Sequence, residues 1–293
     1  MNKQKRQTWL MLAPVFLAIC MLAGCTAKTA PVYGDPQTGI ILQYQMPEGQ
    51  VLKYDSWGEI HQVSDVMGQT IEADISSKTV FTVNSKGQQE NNHQLTITID
   101  DMSLKVQSTQ GELDPDMSTV IGKSFDMVFS SLGKEVELIG ADAIEYDMGP
   151  EGTRNISVGF QDIFPNLADR PVKIGDTWPD ESTITEKTDT GEAIIHFSGV
   201  NTLVGFETID DVECVKVTAE GTGTIESKGE QQGVELVTTG EIKGTVTWYF
   251  AYKEGIFIKQ MMEGTVEGTV DVPSQGVQIP FTRESTSEIK LVK

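Results

Sequence analysis

The residues with the clearest capacity for chemistry in this 293-residue chain are three histidines and three cysteines. His61, His93 and His196 each fall in a run typical of a strand, and no two are neighbours in the sequence. None has the spacing of a zinc protease, a nucleophile elbow or a phosphate-binding loop. A Ser–His–Asp site can assemble from distant strands, so a hydrolase with a dispersed site remains an alternative. The pattern favours a non-enzymatic protein with no cofactor.

Paired acidic residues recur along the chain, at Asp100-Asp101, Asp114/Asp116, Asp180-Glu181 and Asp210-Asp211. None of these pairs fits the twelve-residue calcium loop of an EF-hand. Adjacent side chains on a strand point to opposite faces, so a consecutive pair is a poor chelate outside a turn. The sequence therefore predicts solvated turns and no metal site.

The first 24 residues have the three parts of a secretory signal. Lys3, Lys5 and Arg6 form a basic start, and an apolar run from Trp9 to Ala23 follows. This run is shorter than the ~20 residues that a membrane-spanning helix needs. We therefore assign residues 1–24 to a cleaved signal peptide.

The motif Leu22-Ala23-Gly24-Cys25 resembles the lipobox of bacterial lipoproteins at every position. The resemblance implies that the Cys25 thiol is joined to a diacylglycerol and that the chain is cut before it. It also implies acylation of the new N-terminus, with palmitate as a typical chain, and a lipid membrane anchor. Thr26 at the next position resembles the pattern of outer-membrane lipoproteins facing the periplasm. The alternative is an ordinary signal peptide with a chance cysteine.

The charge of the chain divides at the same place. The whole chain has 22 Lys+Arg and 43 Asp+Glu, a net charge of −21, and the part after residue 24 carries −24. Such an acidic protein has no basic excess for nucleic acid. Residues 25–39 contain Pro31, Gly34 and Pro36 and are predicted to be a lipidated tether. Cys214, the one thiol left after processing and lipidation, is predicted to be a buried apolar residue.

From residue 40 onward the apolar residues recur with period two, which predicts antiparallel strands with one wet face. Leu95, Ile97 and Ile99 are one such series, and Val246, Trp248 and Phe250 are another. We expect twelve to fourteen strands. Turn-forming residues predict hairpin connections at 84–87, 100–101, 131–134, 189–191, 210–211, 227–229 and 253–255. Helical spacing occurs in two places, after Asp114-Pro115 and from Ile156 to Leu167.

The sequence predicts an all-β fold of antiparallel curved sheets, or an open half-barrel, in two sequential halves joined by a short helix. The first half covers 40–150, a linker with the helix covers 151–171, and the second half covers 172–293. The halves open alike, with Gly49-Gln50-Val51-Leu52-Lys53-Tyr54 and with Val172-Lys173-Ile174-Gly175-Asp176-Thr177-Trp178, which is a weak internal repeat.

These two openings, with Ile121-Gly122-Lys123-Ser124-Phe125 between them, resemble a family of uncharacterised bacterial lipoproteins with a domain of unknown function. The similarity covers roughly residues 40–293 and brings no catalytic residues. Its sheet-rich architecture is in turn similar to lipoprotein carriers of the LolA/LolB type, which hold acyl chains in an open half-barrel. That second step is an analogy of fold alone.

Glycines on the apolar side of the strands suggest a hollow or a bend. Gly244, Gly264 and Gly268 lie at the alternate positions that hold the apolar residues of their strands. Glycine at such a position either bends the sheet or removes side-chain volume. A lumen would be lined by Trp248, Phe250, Met127 and Phe129, which we take as candidate ligand-binding residues. The same residues also suit an ordinary core.

The leading functional hypothesis is a membrane-anchored envelope lipoprotein that binds a hydrophobic ligand or a partner protein. The alternative of another class is a structural module that docks onto an envelope complex through its sheet edges.

Overall fold

A computed structural model of the chain describes residues 33–149, 152–188, 190–231 and 233–292, with only the backbone of Gln231. The signal segment 1–24, Cys25 and most of the tether therefore lie outside the described residues. From Tyr33 onward the chain forms one compact unit. In the part that the structure describes, no helix is long and apolar enough to cross a membrane.

The described chain contains sixteen strands, five of them only two or three residues long. The short strands are β1 (Gly34–Asp35), β2 (Gly39–Ile40), β6 (Gly111–Leu113), β9 (Glu145–Asp147) and β10 (Thr153–Asn155). The longer strands are β3 (Val51–Val66), β4 (Gln69–Gln89), β5 (Asn92–Ser108), β7 (Ser124–Ser130), β8 (Glu135–Ile139), β11 (Thr177–Thr188), β12 (Gly191–Ile209), β13 (Val212–Gln231), β14 (Val234–Ala251), β15 (Ile256–Val272) and β16 (Val277–Val292). Short 3-10 helices occupy Met117–Thr119 and Ser157–Phe160.

The longer strands form one antiparallel sheet in the order β11-β12-β13-β14-β15-β16-β3-β4-β5-β7-β8, with β6 paired to β5. The two halves of the chain lie side by side in this sheet, because β16 pairs with β3. The sheet curls into an open half-barrel whose edges are β11 and β8. The predicted all-β, antiparallel, curved fold is confirmed.

We call the face of the sheet that carries Val217, Trp248 and Tyr54 the inner face. Register extends this face across the strands, since Val217 opposes Trp248 and Tyr54 opposes Phe81. The outer face alternates with it and is mostly exposed, apart from a small cluster around Cys214 and Tyr249.

At one end of the sheet, which we call the packed end, the inner face is fully buried. Two irregular segments cover it there. The first runs from Ile40 to Met46 and places every second side chain inward, and the second covers 156–172, which is the linker from Ile156 onward together with Val172. Tyr44 donates its hydroxyl proton to the carbonyl of Pro165 at 3.0 Å, which fastens one covering segment to the other.

At the opposite end, the open end, the inner face is not fully buried, although Arg154 and Asn155 of β10 contact Glu186 and Lys187 of β11 there. The described residues of the open end are 60–75, 104–113, 182–188, 190–198, 221–230, 233–245 and 264–283. Here the inner-face side chains are half-buried, apart from Val272 and Phe281, which are buried.

Three predicted turns lie inside strands. Lys86 and Gly87 form a bulge in β4, Asp100 forms a bulge in β5, and 227–229 are part of β13. The turns at 131–134, 210–211 and 253–255 connect strands as predicted.

The predicted helix from Ile156 to Leu167 is wrong beyond a single 3-10 turn, Ser157–Phe160. Gln161 is already extended, and Phe164 and Leu167 reach the core from irregular backbone. In the Asp114-Pro115 segment, the N-cap is Asp116, whose carboxylate accepts from the Ser118 backbone N–H at 2.9 Å. Residues 33–39, assigned to the tether, belong to the folded unit, where Tyr33 packs edge-on against Tyr252.

Candidate functional site

The four residues proposed from the sequence to bind a ligand lie together in the packed end. Trp248, Phe250, Met127 and Phe129 are each at most 1 % exposed and share the inner face. The ring of Tyr44 fills the space between two of them, 4.7 Å from Phe129 and 4.9 Å from Phe250 between ring centres. At this place the chain's own aromatic residues occupy the interior.

The three histidines lie on different strands. His61 and His196 are exposed on the outer face of β3 and β12, which four strands separate in the sheet. His61 contacts the Asp74 carboxylate at 2.7 Å, which raises its pKa. His93 is buried in the packed end beside the Tyr44 carbonyl, and burial lowers its pKa. The fold does not bring the histidines together.

The other chemically capable groups are separated as well. Cys214 is buried, and burial raises the pKa of its thiol to about 11, which is typical of an unreactive structural cysteine. Among the residues that the structure describes, no group of three or more His, Cys, Asp or Glu side chains is arranged to hold a metal ion.

The inner face of the open end carries an apolar surface that is only half-buried. Along β3, β4 and β5, Ile60, Ile75 and Val106 oppose one another in register. Across β12, β13 and β14 the corresponding surface includes Ile195, Ile225 and Ile242. Apolar surface that stays partly exposed on one face of a sheet is a candidate binding face.

An apolar cavity continues this surface under the linker. It has a volume of about 120 Å³ and lies where the packed end meets the open end. Phe81 and Met102 of the sheet form one wall, and Ile156, Phe160 and Ile163 of the linker form the other. Ser56 and Thr79 also line the cavity. On each strand, one inner-face residue separates them from Ile60 and Ile75.

One basic side chain, Arg283, lies on the inner face of the described strands, where the lysines of those strands all point outward. Its Nε and Nη2 groups donate to the Gln62 side-chain oxygen at 3.1 and 2.7 Å. No carboxylate pairs with it in the described part of the chain, and its pKa is lowered by burial and by the nearby Arg154. Arg154, on the linker, is 3.4 Å from Glu186 of β11.

Arg283 was not identified from the sequence, although its place in the alternating pattern of β16 indicates that it lies on the inner face. Val277, Ile279, Phe281 and Arg283 occupy alternate positions of one strand, so the arginine continues an apolar series. Such a series predicts a charge on the inner face once the neighbouring apolar residues are assigned to it.

A row of glycines marks the boundary between the two ends. Gly199, Gly221, Gly244 and Gly264 oppose one another across β12 to β15. A Cβ at Gly221 would overlap the ring of Phe197, which lies over the row. The outer side of this row is a groove of about 780 Å³, open to solvent and lined by charged side chains such as Lys243 and Glu263.

The linker closes the seam between the edge strands β11 and β8. The Gln161 amide accepts from the Thr185 backbone N–H at 2.8 Å and donates to its carbonyl at 2.9 Å, as a neighbouring strand would. Three half-buried carboxylates, Glu135, Asp162 and Asp180, meet in this seam. Burial raises the pKa of all three, that of Glu135 to about 7.

No protein-family model matches the chain, and no curated protein sequence matches it. Several solved structures show a distant similarity. An outer membrane channel from Pseudomonas putida is 7 % identical over 85 % of this chain and 97 % of that one, with a TM-score of 0.32. An exported protein with a YmcC-like fold from Bacteroides fragilis is 10 % identical over 86 % and 99 % of the two chains, with a TM-score of 0.26.

An outer membrane lipoprotein-sorting protein domain from Vibrio parahaemolyticus is 8 % identical over 82 % of this chain and 83 % of that one. Its TM-score is 0.14. At TM-scores this low, none of the three similarities identifies a function for this chain.

Proposed function

We propose that the protein is a lipid-anchored lipoprotein of the bacterial envelope that binds an apolar ligand without enzymatic activity. The observation that carries the proposal is the half-buried apolar inner face of the open end, including Ile60, Ile75 and Val106. The core of the protein is complete in the packed end. Apolar side chains that stay half-buried elsewhere on the inner face are therefore expected to be covered by a ligand. A ligand held there would also contact the cavity beneath the linker.

The anchor and the location complete the proposal. Cys25, in Leu22-Ala23-Gly24-Cys25, would carry the lipid, and Thr26 favours the outer membrane facing the periplasm. Because the chain after residue 24 carries a net charge of −24, anionic headgroups would repel it. Attachment would therefore depend on the acyl chains rather than on surface charge.

Native mass spectrometry tests the ligand. Since the chain from Tyr33 onward forms one compact unit, residues 26–293 can be produced without the anchor and purified without detergent. We expect a co-purifying apolar molecule, or uptake of an added apolar probe with one-to-one stoichiometry. Repeated absence of both would contradict the proposal.

Cys25→Ala tests the anchor independently. The variant is expected to accumulate as an uncut precursor without fatty acid, because the thiol that accepts the lipid is lost. Metabolic labelling with a fatty acid measures this, with Cys20→Ala as the matched control that keeps its label. Label that persists in Cys25→Ala would overturn the lipobox assignment.

A second candidate function, docking of a partner protein at a sheet edge, is favoured by one observation. On the edge strand β8, Val136 and Ile139 are 55 % and 48 % exposed. The other edge, β11, is already bonded to the linker by Gln161. Crosslinking in cells from position 137 should capture one dominant protein if docking is the function, and the β11 side should not.

A further inference from the structure

The inner face of the open end combines an apolar surface with one charge that the fold does not neutralise. In the described structure Arg283 has no carboxylate partner, and its one hydrogen-bonding neighbour is the neutral amide of Gln62. Phe281 precedes it on the same face, with its ring 5.8 Å from the guanidinium. A guanidinium that is partly removed from water without a counter-ion is costly to the fold.

The donors of Arg283 are only partly used. The Nε group and one side of Nη2 point to Gln62. The donors on Nη1 and on the other side of Nη2 form a second fork, which has the geometry to take both oxygens of a carboxylate. Gln62 holds the guanidinium in place, and its own amide nitrogen is 3.3 Å from the Ser64 hydroxyl.

The local field favours an anion at this fork. Arg154 lies close enough for its charge to lower the pKa of Arg283. Glu186, 3.4 Å from Arg154, is paired with that residue and not with Arg283. Among the described residues, the hydrogen bonds of Arg283 go only to the neutral amide of Gln62, which favours a negatively charged ligand group at its fork.

The apolar surface beside Arg283 has the length of an acyl chain. Gln62 opposes Arg283, and Ser56, six residues earlier on β3, lines the 120 Å³ cavity beneath the linker. Six residues of strand span about 20 Å, which is close to the length of a long-chain fatty acid. Ile60 and Ile75 lie between the two points on the same face.

We propose that the inner face binds a long-chain fatty acid, with its carboxylate on Arg283 and its chain running past Ile60 and Ile75 into the cavity beneath the linker. This inference rests on the proposed function, because it names the ligand class of the same apolar face. Gln62 acts as a positioning residue for the guanidinium.

The test compares cis-parinaric acid with its uncharged methyl ester, both below their micelle concentrations, on residues 26–293. We expect the acid to bind the unaltered chain at least tenfold more tightly than the ester. Arg283→Gln should weaken acid binding about tenfold or more and leave ester binding within about twofold. Lys243→Gln, which removes one positive charge from the outer face, is the matched control and should change neither.

The outcomes separate the two proposals. Equal binding of acid and ester by the unaltered chain, or an Arg283→Gln effect no larger than that of Lys243→Gln, would overturn the fatty-acid inference and leave the apolar site standing. Failure to bind either probe would overturn the proposed function as well. If Arg283→Gln does not fold, Arg283→Lys keeps the charge without the fork, and an unchanged acid-to-ester ratio in that variant would overturn the inference.

Discussion

The packed end and the open end belong to the same strands and follow the same alternation, yet only one of them forms a core. On β5, Leu95, Ile97 and Ile99 are fully buried, whereas Leu104 and Val106 on the same face are half-buried. The difference lies in the covering segments 40–46 and 156–172, whose buried side chains complete the core of the packed end. The sheet therefore has more apolar surface than its own core buries, and a ligand can cover the remainder.

Aromatic contacts sharpen the contrast. In the packed end Phe164 lies within 6.2 Å of Tyr44, Phe129 and Phe257, measured between ring centres, and Tyr54 donates to the Phe257 carbonyl at 2.9 Å. In the open end the inner-face positions of β13, β14 and β15 hold mainly aliphatic residues and glycines, and Phe197 and Phe281 lie on the strands beside them. Rigid packing and available surface are thus divided between the two ends of one sheet.

The largest expected effect compares one substitution at the two ends. Ile97→Ala in the packed end should lower the free energy of unfolding by about 2–5 kcal/mol, because it leaves a cavity in a fully buried core. Ile75→Ala in the open end should cost about 1 kcal/mol or less, since that side chain is only half-buried. Urea unfolding measures both, and equal losses would show that the open end is as well packed as the core.

The glycine row between the two ends should tolerate no side chain under Phe197. Gly221→Ala is expected to cost about 1–3 kcal/mol, because the added methyl group overlaps the Phe197 ring. Gly205→Ala on the neighbouring strand is the control, since no atom lies within 4 Å of a Cβ there. Thermal unfolding of the two variants tests the boundary, and a Gly221→Ala protein as stable as Gly205→Ala would contradict the close approach.

The seam carboxylates should make stability fall as pH rises. Burial raises the pKa of Glu135 to about 7, so between about pH 4.5 and 7 the folded state holds a proton that the unfolded state releases. Stability is therefore highest at low pH and is lost through this window. Glu135→Gln should remove the loss, which we expect to be about 1–2 kcal/mol after screening by water.

Unfolding of Glu135→Gln is best measured at pH 5 and at pH 8, with Glu137→Gln as the control. Glu137 is exposed on the same strand. If the pH dependence were the same in Glu135→Gln and in the unaltered chain, burial of Glu135 would not be the cause of the loss of stability at high pH.

Alternation was enough to predict the sheet, but not where its strands end. Asp100-Asp101 and Asp210-Asp211 are the same dipeptide, yet the first lies within β5, where Asp100 is a bulge bonded to Lys53 at 3.0 Å. The second is a turn with φ of +49° and +67°. Only cross-strand pairing distinguishes the two, and that pairing is not local in the sequence.

The candidate site was predictable only in part for the same reason. Apolar parity identified the inner face, and it selected Trp248 and Phe250 because large aromatic residues look like a lining. It gave no means of knowing that the ring of Tyr44, about 200 residues away in the chain, packs 4.9 Å from that of Phe250. Likewise, the role that we propose for Arg283 depends on its pairing with Gln62, and these two residues are far apart in the sequence.

The central claim, that the inner face of the open end is a binding face, is tested most directly by two neighbouring residues of β4. Ile75 points to the inner face and Ser76 to the outer. We predict that Ile75→Asp weakens binding of cis-parinaric acid by tenfold or more, while Ser76→Asp leaves it within about twofold. Equal affinities in the two variants, with both folded, would contradict the account.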